Sequence, residues 1–165
     1  MPKTKYQFED FLAITDNDSK GFVTTIHEML LQEGYKLKIQ STKSYGLHVS
    51  YSQPKIKVVK GIIVYLLIRD GKLMIRINAD NHAKYPEVLN QLPEKILSQI
   101  DNSTDCKKFI DPQKCWTGCI GYDFHIGEKL YQKCVIDCFE LDVDFENMPY
   151  LLEIIKRESK ERLAV

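Results

Sequence analysis

The chain has no excess of charge of either sign: 23 Lys and Arg stand against 23 Asp and Glu in 165 residues. A protein that holds nucleic acid or an anionic bilayer by bulk electrostatics needs a surplus of cations, so the balance gives no signal for either partner. Long apolar runs are missing too. The longest, Gly61 to Ile68, suits a buried strand and falls well short of the roughly 20 residues that a membrane-spanning helix needs. The opening Met1-Pro-Lys-Thr-Lys-Tyr6 carries no apolar leader segment, so a cytoplasmic location is expected. Absent as well are the glycine-rich phosphate loops and the Gly-x-Ser-x-Gly elbow. His27-Glu28 opens like a zinc-protease helix, but Leu31 stands where the second histidine would be required. No catalytic set is legible, and a binding role is expected in preference to a catalytic one.

What is present describes one ordinary domain. With 44% hydrophobic and 28% charged residues, the chain is apolar enough to bury a core and long enough for a single α+β unit over residues 1–165. Asn17 or Asp18 is placed to cap a helix whose Phe22, Val23, Ile26 and Leu30 form one stripe ending at Gly34. Alternation over Tyr35 to Gln40 and again over Leu47 to Tyr51 predicts two strands, the second ended by Pro54. Lys36, Lys38, Lys43, Lys55, Lys57 and Lys60 crowd this region, where lysine discourages edge-to-edge pairing.

The clearest local signal is a β run from Ile56 to Ile68, the dipeptide Asp70-Gly71, and a second run from Leu73 to Asn78. A two-residue primed turn there opposes Arg69 to Lys72 and fixes every later pair. Val64, Leu66, Ile68, Leu73, Ile75 and Ile77 then face the core, while Ile63, Tyr65, Leu67, Met74, Arg76 and Asn78 share the other face. That second face is half apolar, and Tyr65, Met74 and Arg76 on it are candidate binding residues for a small molecule or a protein partner. Asp80, Asn81 and His82 follow at the strand end, a position where polar groups can line a pocket, and are read chiefly as caps of the next helix. That helix is kinked or split by Pro93. Tyr122 to Ile126 and Lys129 to Leu141 predict a second hairpin about Gly127-Glu128, and a last helix closes the chain. The expected architecture is two layers: an antiparallel sheet of about six strands with helices mainly on one face, in the order α, four strands, α, two strands, α.

Five cysteines, an odd number, argue against a disulfide framework in a reducing compartment. Cys115 and Cys119, then Cys134 and Cys138, form two pairs with three residues between partners, and Cys106 lies upstream as a substitute ligand. Strand parity brings Cys119, Cys134 and Cys138 to one face. An unbroken strand would nevertheless separate Cys134 from Cys138 by about 13 Å, too far for two sulfurs on one zinc. A structural zinc held by the four cysteines therefore requires a bend at Val135 to Asp137. Trp116 lies between two of these cysteines, as a lid on the cluster or as the mark of a partner surface.

In element order, and in Tyr45-Gly-Leu-His-Val-Ser-Tyr51 and the Asp70-Gly71 hairpin, the chain resembles small uncharacterised bacterial domains of the YjbR type and, more loosely, the YdhG type. The resemblance implies a two-layer α+β fold and carries over no functional residue. Three roles remain open at this point: a binding module with a structural zinc, a metal-free domain that binds a ligand or partner on the Tyr65, Met74 and Arg76 face, and a thiol-based redox protein.

Overall fold

A computed structural model describes residues 4–53 and 61–164. Pro54, the lysines at 55, 57 and 60, and the start of the strand expected from Ile56 lie outside the described residues.

Helix α1 (Phe8–Ile14) is closed at its start by Gln7, whose amide donates to Asp10 Oδ2 at 2.7 Å. Helix α2 (Lys20–Gln32) buries the stripe Phe22, Val23, Ile26 and Leu30. Gly34, at φ 91°, reverses the chain there, with Gly34 N bonded to Leu31 O and Tyr35 N to Leu30 O, which satisfies the last carbonyls of the helix.

The chain then enters a meander of β1 (Lys36–Thr42), β2 (Gly46–Ser52), β3 (Ile62–Arg69) and β4 (Lys72–Ile77). The β3–β4 register is the expected one, from Arg69 opposite Lys72 to Val64 opposite Ile77. Asp70 and Gly71 both sit at positive φ, 53° and 75°, which is the backbone a primed two-residue turn demands. One face of the sheet carries the rows Leu37, Tyr51, Val64, Ile77 and Ile39, Val49, Leu66, Ile75, Leu141. These rows join the apolar stripes of α1, α2 and the last helix α5 (Met148–Leu163) in one buried cluster. The helical stretch after β4 is divided into α3 (Pro86–Leu89) and α4 (Glu94–Asp101), with Pro93 as the cap between them.

The second half departs from expectation at one point. β5 (Tyr122–Ile126) and β6 (Lys129–Lys133) do pair about Gly127-Glu128, but the ladder stops at Tyr122 opposite Lys133. Residues 134–138 form a tight turn in which Cys138 N bonds to Cys134 O at 3.1 Å. β7 (Glu140–Asp142) then pairs with β4. Among the described residues the α+β fold thus has an antiparallel five-stranded sheet ordered β1-β2-β3-β4-β7 and a separate β5-β6 hairpin, in place of one sheet of about six. The free edge of β4 needed a hydrogen-bonding partner, and the three-residue β7 supplies it.

Candidate functional site

Tyr65 and Arg76 are cross-strand partners on the face of the sheet that points away from the helical core. Past the end of β4 the same parity carries Asn78 and then Asp80 to that side. These four residues form one wall of a cleft of about 460 Å³. The opposite wall comes from Trp116, Gly118, Cys119 and Ile120 ahead of β5, Tyr122 at its start, and Val135 and Ile136 in the turn after β6.

The far wall is irregular backbone held at several points. Asp105 bridges to Lys133, flanked by Cys106 N to Gln132 O at 3.0 Å and Cys134 N to Thr104 O at 2.8 Å. The Lys133 ammonium is buried and committed to Asp101 O, Ser103 O and Asp105 Oδ1. Lys108 donates to Cys119 O, and Cys119 N closes a turn on Trp116 O at 3.3 Å. Gly121 has φ 67°, and a Cβ there would come within 2.7 Å of Cys106 Sγ and 2.8 Å of Phe109 Cε2. Both the conformation and the space at that position belong to glycine.

Arg76 does not stand free in the cleft. Its Nε and Nη2 donate to Glu140 Oε2 at 3.0 and 2.6 Å, and the guanidinium lies 5.5 Å from the centre of the Tyr45 ring and 5.6 Å from that of Tyr65. Beyond it a second hollow of about 290 Å³, bordered by Gln40, Tyr45, His48 and Leu67, continues the groove. Met74 shares the face as the partner of Leu67 and Asp142, yet it is not among the residues of either hollow. Of the three candidate binding residues, the structure brings Tyr65 and Arg76 into the cleft and leaves Met74 beside it.

Asp80 is held from behind. Tyr122 OH donates to its Oδ1 at 2.8 Å and Arg162 Nη2 to its Oδ2 at 3.1 Å. Arg162 Nε in turn donates to Glu158 Oε1 at 2.9 Å, and the fully buried Glu158 also accepts from Asn81 N, Asn81 Nδ2 and Tyr85 OH. Partial burial raises the Asp80 carboxyl above its ordinary value against the opposing pull of Tyr122 and Arg162. The expected capping role of Asp80, Asn81 and His82 is not observed: the short helical turn His82–Lys84 has no side-chain cap, and the His82 ring bonds to Ala79 O at 2.8 Å. Their polar groups are recruited by α5 and β5, which local sequence does not reveal.

The cysteines occupy different surroundings. Cys119 lines the cleft, its thiol pushed up by burial and further by the neighbouring Cys115 and Cys106. Cys138 is fully buried in the core, and burial pushes its thiol up as well. Cys115 and Cys134 are half-buried. The bend that a four-cysteine zinc site requires is present at residues 134–138, but among the described residues no three His, Cys, Asp or Glu side chains are grouped so as to hold a metal ion.

Parity alone reached Tyr65, Arg76 and Asn78, but not the residues opposite them, Ile120, Tyr122, Val135 and Ile136, which depend on the break after β6. No protein-family model, no curated protein and no solved structure matches the chain.

Proposed function

We propose that the protein is a small-molecule-binding domain whose ligand occupies the cleft between the outer face of the sheet and the cysteine-bearing segment. The observation that carries this role is the concentration of exposed apolar surface at that one place. Trp116 is 57% exposed, Ile120 67% and Ile136 54%, and all three line the same hollow. Scattered exposed apolar residues mean little, whereas several converging on one concavity mark a surface that something covers. The volume favours a small ligand over a folded partner, since small-molecule sites occupy about 300–1,000 Å³. Polar groups are few and converge at one end, where Asn78 and Asp80 give direction to an otherwise apolar pocket. Burial holds the Cys119 thiol in its protonated, unreactive form, which favours binding over thiol chemistry.

Trp116 is the only tryptophan, so its emission reports the cleft directly. Phenylethanol, a neutral aromatic probe, is expected to bind saturably, shifting Trp116 emission to shorter wavelength and raising Tm. Ile136→Glu, at an exposed position, is expected to fold normally and lose both responses. A strong chelator is expected to change neither the Tm nor the titration. Absence of saturable binding by emission and ligand-observed NMR would overturn the proposed role, and a chelator-induced collapse of Tm would assign the cysteine segment to metal instead.

A further inference from the structure

Resting on the cleft as a ligand site, we infer that its ligand carries a protonated amine, which the Asp80 carboxylate binds while the apolar body lies between Trp116 and the sheet. Among the described residues Asp80 is the one carboxylate that lines the cleft. Each of its oxygens takes one internal donor, Tyr122 OH on Oδ1 and Arg162 Nη2 on Oδ2, and 39% of the side chain remains accessible. A carboxylate has about four lone-pair positions, so two are left for a donor arriving from the cleft. The two protein donors also fix the carboxylate in place, so a ligand need not order it.

Charge points the same way. Asp80 and Glu158 share one guanidinium, that of Arg162, which leaves this trio one negative charge in excess. Arg76, the cation at the other end of the cleft, shares Glu140 with Arg69 and is held to it at 2.6 Å, and among the described residues no ion pair joins it to Asp80. Burial raises the Asp80 carboxyl against the pull of Tyr122 and Arg162, and an ammonium beside it would favour the charged form. Trp116, in the lining and 57% exposed, offers an aromatic ring that attracts a cation and rejects an anion. One lining carboxylate with aromatic neighbours suits an organic cation; a metal ion would need further oxygen or sulfur ligands.

Three probes of similar size separate the possibilities: phenylethylammonium, phenylethanol and phenylacetate, titrated by calorimetry and Trp116 emission. The amine is expected to bind about tenfold tighter than the alcohol, the size of one hydrogen bond to a charged group, and phenylacetate weakest of all. Asp80→Asn keeps the shape and is expected to remove the preference for the amine over the alcohol. On the unaltered protein, added salt is expected to weaken the amine and spare the alcohol, a readout independent of how the variant folds. Equal binding of amine and alcohol, or tightest binding of phenylacetate, would overturn the amine and leave the cleft standing. Binding of none of the three would remove both.

Discussion

Burial acts on Cys119 and Cys138 in the same direction but in different places, one at the wall of the cleft and one in the core. A protonated, enclosed thiol is a poor nucleophile, whatever the number of cysteines nearby. Cys106 is enclosed as well, packed against Gly121 and Phe109. Native-state maleimide labelling read by peptide mass spectrometry should therefore modify Cys115 and Cys134 first and Cys106, Cys119 and Cys138 only on unfolding; rapid labelling of Cys119 would contradict the closed wall described above. At this scale the sequence disclosed faces better than partners. Tyr65 and Arg76 follow from alternation, because side-chain parity is a local property of a strand. The partners of Asp80 do not, since Tyr122 and Arg162 lie 42 and 82 positions away from it.

Among elements, the register of the β3–β4 hairpin is legible because Asp70-Gly71 fixes the turn and the turn fixes the register. The run from Lys129 to Leu141 is not. Its apolar alternation continues through the break, and only competition from the open edge of β4 divides it into β6, a turn and β7. Helix α5 shows a similar dependence on distant structure: its C-terminal half looks like a solvated face, yet Glu158, Ser159 and Arg162 are buried there. Glu158 and Arg162 sit one turn apart with side chains 0% and 5% exposed. Replacing Glu158 by Ala breaks its buried ion pair with Arg162 and leaves the Asn81 and Tyr85 donors without their acceptor. We expect a loss of about 3–5 kcal/mol in denaturant unfolding, against under about 0.5 kcal/mol for the exposed Lys160→Ala.

At the scale of the whole molecule, the tyrosines Tyr51, Tyr85 and Tyr122 are each 0% exposed in the interior. Burial pushes all three hydroxyls well above the ordinary tyrosine value, and Glu158 and Asp80 add to the effect at Tyr85 and Tyr122 respectively. The unfolded chain therefore releases these protons first. The stabilisation is complete below about pH 10 and is lost as pH rises from there toward the folded-state values. Melting temperatures measured across the alkaline range should stay level and then fall, with tyrosinate absorbance appearing together with unfolding. Tyr51→Phe should make that fall shallower, and early tyrosinate absorbance in a folded sample would contradict the burial.

Strand order also divides the molecule in time. β1 to β4 are neighbours in sequence order, whereas Glu140 meets Arg76 across 64 positions. Loop closure of that length carries a larger entropic cost than a hairpin turn, so the meander is the natural first structure of the folding chain, and β7 docks onto an edge already built. The far wall of the cleft is strung between the meander and that late pairing. A chain caught before β7 docks would thus have much of its sheet and none of its binding site, and recovery of ligand binding would trail recovery of secondary structure during refolding.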